Sequence, residues 1–294
     1  MPSLDSTPSR HLPLHRPLPH IFFMSLQVLS HRLSQTLFSK QSILLTLSWL
    51  WLGWNSAVGA VNKPASTAPA VVKTLLQKID TAANNRQSAE LAKYYSQNFT
   101  TSDGLNKATW HKSLGQMWQN YSNLKYTTTL EGWGTEAGGY TTQTVTKITG
   151  VQKIDGRTMN LQSTIQSRQK IVGGQILQQE ILQERTQVTS GAQPPTVELN
   201  LPTKIQTNAE YNFDAIVREP LGEDVLMGAT VEQPVSPQGY AQPTNYKLEL
   251  LTAGGLFKIA RAPGKSGDYW LSTIFIRPSG MTTLTQRIHV MRAK

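Results

Sequence analysis

"RTMNLQSTIQSRQKIVGGQILQQEILQERTQV", residues 157–188, is the stretch on which the fold turns. Two runs rich in Ile, Leu, Thr and Gln flank Gly173-Gly174, a pair that takes positive φ without cost, and the whole reads as a β-hairpin closed by a two-residue turn. Such a turn sets Val172 opposite Gln175 and, counted outward, assigns every side chain to a face. One face carries Leu161, Ile165, Ile171, Ile176 and Leu182, together with Glu180 and Glu184. The other carries Gln162, Gln166, Arg168, Lys170, Gln179, Gln183 and Arg185, with Leu177 and Ile181 as apolar exceptions. Two carboxylates on the apolar side are either the polar lining of a ligand cavity or the rim of the sheet where the core runs out, and the rim is preferred.

Upstream, the same period of two recurs in 124–134 and 139–152, punctuated by Gly138-Gly139 and Asp155-Gly156, so four long antiparallel strands are expected. Before them the period is helical. Val71, Val72, Leu75, Leu76 and Ile79 mark a first helix, and Leu91 with Tyr95 marks a short second one that Ser88 caps. A third opens after Asn106 and aligns Trp110, Leu114, Met117 and Tyr121 on one stripe. Residues 61–70, "VNKPASTAPA", read as a linker because Pro64 and Pro69 interrupt any helix.

Downstream, Pro194-Pro195 marks a boundary, and seven extended segments follow at 196–202, 210–219, 226–235, 246–253, 255–261, 268–277 and 282–291. "DYWLSTIFI" places Trp270, Ser272 and Ile274 against Tyr269, Leu271, Thr273 and Phe275. Alternate burial in a sandwich explains Tyr269-Trp270 better than an exposed aromatic patch does. The expected fold class is therefore an α+β cone, three helices on a curved four-stranded antiparallel sheet over 71–190, followed by an all-β immunoglobulin-like sandwich over 194–294.

The segments "TLLQKIDTAANNRQSAELAKYYSQNFTTSDG" and "TWHKSLGQMWQNYSNLKYTTTLEGW" resemble the opening of nuclear transport factor 2-like domains, in which a helix, an L-x-x-Y-Y-S-x-x-F element and a Trp-containing helix precede the sheet. The resemblance covers residues 71–190 and implies a cone with an internal pocket. Such domains include isomerases, dehydratases, cyclases, epoxide hydrolases and non-catalytic binding or dimerising modules, and fold does not choose among them. The whole layout, with the sandwich segment "LLTAGGLFKIARAP", is similar to that of uncharacterised exported proteins of photosynthetic bacteria.

The N-terminal region bears on compartment. "SILLTLSWLWLGWNSAVGA", residues 42–60, is too short for the ~20 apolar residues that cross a bilayer, has Arg32 and Lys40 upstream, and ends in Val58-Gly59-Ala60, which suits a signal peptidase. Residues 24–60 are thus expected to be a signal peptide, starting at Met24, with 1–23 a non-native or disordered extension. The mature protein is expected to be exported, to the periplasm or another extracytoplasmic space, with no stable membrane span after cleavage.

Composition narrows the chemistry. The chain of 294 residues carries a formal charge of +10, of which four basic and one acidic residue lie in 1–60. The excess is spread thinly, with no basic run interleaved with aromatics, so nucleic acid is not an expected partner. With no cysteine there is no thiolate site or disulfide. His111 and His289, the two histidines beyond Ala60, lack a ligand series nearby, so neither metal nor cofactor is expected.

The weak catalytic candidates are Glu180, Glu184 and His111; His111 is better explained as a packed or surface residue, and Asp103 as a turn former in "TTSDG". The candidate pocket aromatics are Tyr95, Trp110, Trp118 and Trp133, for which a core role is preferred. The preferred function is a non-catalytic binding or assembly protein, the first region dimerising or holding an apolar small molecule and the sandwich meeting an envelope protein. The alternative is an isomerase- or cyclase-like enzyme with Glu180 or Glu184 as base.

Overall fold

The computed structural model describes residues 60–241 and 244–292. The segment expected to be a signal peptide, apart from Ala60, and the extension before it lie outside the described residues. The chain is mostly β. Among the described residues three α-helices, α1 (Ala70–Asn84), α2 (Ser88–Lys93) and α3 (Lys107–Asn120), accompany fourteen strands. In the first half these are β1 (Lys63–Pro64), β2 (Tyr95–Thr101), β3 (Ser122–Glu136), β4 (Gly139–Ile154), β5 (Arg157–Val172) and β6 (Gln175–Gly191). In the second they are β7 (Val197–Asn200), β8 (Lys204–Gln206), β9 (Glu210–Val217), β10 (Met227–Pro234), β11 (Glu249–Leu250), β12 (Gly255–Arg261), β13 (Gly267–Arg277) and β14 (Gly280–Met291).

The four long strands β3 to β6 form a meander because each junction supplies the positive φ that a tight turn needs: Gly138 at 81°, Asp155 at 48° with Gly156 at 77°, and Gly173 at 58° with Gly174 at 74°. α1 lays Val72, Leu75, Leu76, Ala82 and Ala83 onto this sheet, while Val71 of the expected stripe faces outward. α3 starts at Asn106, whose side chain accepts from Thr109 N while Thr109 Oγ1 accepts from Asn106 N, a reciprocal cap.

The expected cone followed by a separate sandwich is not what forms. One eleven-stranded sheet runs through both halves in the order β1-β3-β4-β5-β6-β14-β13-β10-β11, with β2 and β8 attached to its sides. The last strand of the chain, β14, pairs antiparallel with β6 from Gly280↔Gly191 to Gln286↔Arg185. A second sheet, β12-β9-β7, covers one face of β10, β13 and β14, and between them lie Phe213, Ala215, Leu271, Phe275, Leu284 and Ile288. The opposite face of the same strands joins the first core: Ala229, Ile274 and Met281 are packed with α1, α3 and the long strands. Thus β13 and β14 are covered on both faces, which is why "YWLSTIFI" carries an almost unbroken apolar run.

Local expectations also shift. Tyr95 opens β2 and does not end the second helix. Ser88 is the first residue of α2 and not its cap; its hydroxyl pairs with His111 Nε2 at 2.7 Å. Residues 61–70 are no free linker, since β1 pairs with β3 at Trp133 and Gly132, and Thr67 Oγ1 accepts from Trp133 Nε1.

Two bulges in the β5–β6 ladder correct the face assignment. The register slips by one residue between Lys170↔Gln178 and Ile171↔Ile176, leaving Leu177 over, and again between Gln166↔Gln183 and Ser167↔Ile181, leaving Leu182 over. Each slip flips the following side chains to the other face. Ile181 therefore turns inward opposite Ser167, and Glu180 turns outward opposite Arg168; the second slip returns Glu184 to the inner face, opposite Ile165.

Candidate functional site

The free edge of β6 changes partner partway along. β2 runs parallel to it as far as Thr101↔Gln179, and β14 takes it up from Arg185 onward. Between these lie residues 180–184, where the bulge at Leu182 falls, and the unpaired stretch is closed by side chains from both halves of the chain. Ser102, just beyond β2, gives its N–H to Gln179 O and its Oγ to Ile181 N as acceptor. His289 of β14 donates from Nε2 to Leu182 O at 2.6 Å.

Arg287 lies at the centre, its side chain fully enclosed. Its fork makes two parallel bonds to Asp103, Nη1 to Oδ1 and Nη2 to Oδ2, both 2.8 Å. Nε and Nη2 donate to Glu184 Oε2 at 3.2 and 3.0 Å, and Nη1 reaches Asp268 Oδ2 at 3.0 Å. Burial works against the guanidinium charge, but Glu184 and then Asp103 outweigh it, and the group is held firmly protonated. Trp270 Nε1 adds a third donor to Glu184 Oε2 at 2.9 Å, and Tyr240 donates its hydroxyl to Asp103 Oδ2. Burial, with Glu184 and Asp103 beside it, raises the Tyr240 phenol well above its ordinary value, so it stays a donor.

The cluster forms one end of a cavity of about 170 Å³ between the helices and the inner face of the long strands. α1 contributes Leu76, Ile79, Asp80 and Ala83, α3 contributes Trp110, Ser113 and Leu114, and the sheet contributes Tyr126, Ile148, Ile165, Ser167 and Ile181 among others. Asp103, Glu184 and Tyr240 complete the lining, so a residue from the second half closes a cavity of the first. Asp80 accepts from the N–H and the hydroxyl of Thr128, both at 2.6 Å. Among the described residues, Glu184, 4% exposed, spends all three of its hydrogen bonds on Oε2; Oε1 receives none.

Of the expected site residues, Glu184, Tyr95 and Trp110 line this cavity, the two rings in contact with centroids 4.1 Å apart and planes tilted by 35°. The rim reading of Glu184 is thereby corrected. Glu180 lies on the outer face, bridged to Arg168 at 3.2 Å. His111 ties α3 to α2 through Ser88 and does not line the cavity. Trp118 stands behind the wall and donates to the Tyr126 hydroxyl at 3.1 Å, which orients a lining residue. Trp133 is remote: it holds the 61–70 segment, with Lys63 Nζ 4.4 Å from its ring centroid. Asp103, read as a turn residue, is 7% exposed and bound to Arg287. Arg287, Tyr240, Trp270, Asp268 and His289 were not anticipated; the unbroken apolar run of β13 was the available sign that its neighbour β14 is buried on both faces.

Comparison with known proteins adds little about activity. A family model described as "Domain of unknown function (DUF8623)" matches residues 192–291. No curated protein matches the chain. Among solved structures, Bd1075 of Bdellovibrio bacteriovorus matches at 15% identity over 37% of this chain and 39% of its own, with a TM-score of 0.28. The chain thus spans about two fifths of that protein's length. A conserved protein from Planctomyces limnophilus matches at 16% identity over 37% of this chain and 91% of its own (TM-score 0.30). An LEH-like epoxide hydrolase from M. tuberculosis matches at 9% identity over 38% of this chain and 80% of its own (TM-score 0.27).

Proposed function

We propose that the protein binds a small, mainly apolar molecule in the cavity between α1, α3 and the inner face of the long strands. The observation that carries this is a lined space of about 170 Å³ in which a buried acid keeps one acceptor open. An apolar cavity of ~150 Å³ is enough to hold benzene, so a one-ring molecule is the expected size. The order helix, short helix, strand, helix and four long strands supports retaining the nuclear transport factor 2-like likeness for residues 71–190 within this proposal.

The direct test is native mass spectrometry of the purified protein with ethylbenzene as an uncharged probe. One bound molecule is expected, lost when Ala83→Leu fills the space from α1. An unchanged mass, or binding that Ala83→Leu leaves alone, would contradict the reading.

One observation favours a second reading, an isomerase- or cyclase-like enzyme. With Oε2 pinned by three donors and Oε1 open, Glu184 is held as a general base would be, able to take a proton from a bound C–H acid. Deuterium entering the α-position of a bound ketone, and failing to enter in Glu184→Gln, would favour this over binding alone. Export, with cleavage after Ala60, remains part of the proposal on the strength of the leader's composition; an exported product still carrying residue 50 would exclude it.

A further inference from the structure

The charges around the cavity do not balance. Every formally charged side chain in its lining is an acid: Asp80, Asp103 and Glu184. Arg287 stands behind the wall and is shared by Asp103, Glu184 and Asp268. Among the described residues His289 brings the one other cation to this cluster, and it faces Asp268. Asp268 and His289, each about a quarter exposed, balance one another, so Asp103 and Glu184 share Arg287 and one formal negative charge is left over among these three almost wholly enclosed side chains. Asp80, only partly buried, adds a second acid to the lining, and among the described residues it forms no ion pair and has only Thr128 as partner. An enclosed carboxylate without a counter-charge is costly, and a cation placed against it recovers that cost. Glu184 Oε1 is the place left for it, the open oxygen of a lining residue whose other oxygen is saturated. The rings of Tyr95 and Trp110 supply faces that attract a cation and pack against an apolar body.

Resting on the binding reading above, we infer that the ligand is a small amine: its ammonium group is held on Glu184 Oε1, and its ring or hydrocarbon body fills the apolar remainder against Tyr95 and Trp110. Anionic molecules of the same shape are excluded, although the chain as a whole carries a formal charge of +10.

The test compares four probes of one shape at neutral pH, by calorimetry and by tryptophan fluorescence: 2-phenylethylamine, 2-phenylethanol, 3-phenylpropionate and ethylbenzene. A charge-assisted hydrogen bond should make the amine bind about tenfold tighter than the alcohol or better, with no binding of the carboxylate. Glu184→Gln should bring the amine down to the level of the alcohol. The ranking on the unaltered protein decides the matter even where that variant fails to fold. Ethylbenzene bound with no preference for the amine, a carboxylate that binds as well as the amine, or a preference that survives in Glu184→Gln would each overturn the inference while the cavity reading stands. If none of the four binds, the cavity reading itself falls.

Discussion

His289 shows how one side chain records the environment that both halves build. Its Nε2 faces the Leu182 carbonyl and its Nδ1 faces Asp268 Oδ1 at 2.5 Å. Neither oxygen can donate while Asp268 is ionised, so both ring nitrogens carry hydrogens and the ring is an imidazolium. The hydrogen bond to Asp268 raises the His289 pKa above its ordinary value against the opposing effect of burial, with the Leu182 carbonyl adding to the rise. Asp268 is lowered in turn: burial pushes it up, but the bond to His289 and the charges of His289 and Arg287 outweigh that. A histidine raised on folding contributes stability that is fully present below its unfolded value of about 6.5 and is lost as pH rises through the folded value. The lowered aspartate contributes above its unfolded value and loses that contribution only as pH falls through the lowered one. The unfolding free energy should therefore decline as pH rises from about 6.5 through the raised value, by on the order of 1 kcal/mol for a charge-assisted bond that is only half buried. Urea titrations across pH should show this decline in the natural protein and a flat profile in His289→Gln; parallel profiles would remove His289 from the account.

At the scale of elements, the junction of β6 with β14 depends on small residues. A Cβ on Gly280 would lie 2.5 Å from Ser190 O and 2.9 Å from Pro194 Cα and N, all backbone atoms that cannot swing aside. Gly280→Ala should thus cost about 1 to 3 kcal/mol by forcing the first rungs of the ladder apart. Gly115→Ala in α3, with nothing within 4 Å of the added carbon, is the control and should gain up to about 1 kcal/mol. Equal stability for the two variants, measured by thermal unfolding, would contradict the tight junction. The long strands themselves were legible because alternation and glycine turns are local signals. The bulges were not: Leu177 and Leu182 read as ordinary strand residues, and no local pattern marks where a register slips. That is why Glu180 and Glu184 were assigned together and end on opposite faces. Tyr95 and Trp110 were legible only as two of four aromatics for which a core role was preferred, and Tyr95 was placed on a helix when it opens β2, whereas Asp103 carried only its turn signature and gave no hint of the arginine 184 residues away.

For the whole molecule, the composition shift at Pro194-Pro195 is real, yet it separates texture and not structure. The pairing that unites the halves joins β6 to the last strand of the chain, and contacts so distant in sequence leave no periodic trace. Once joined, the halves share a core, a sheet and the Arg287 cluster, and the cavity is finished by Tyr240 from the second half. The central claim is that these two halves are one cooperative unit. Amide hydrogen exchange followed by mass spectrometry in β6 and β14 tests it most directly. The account predicts that both strands open together, with the same free energy and the same dependence on denaturant. A β14 that exchanges through a separate and cheaper opening, while β6 stays protected, would contradict it.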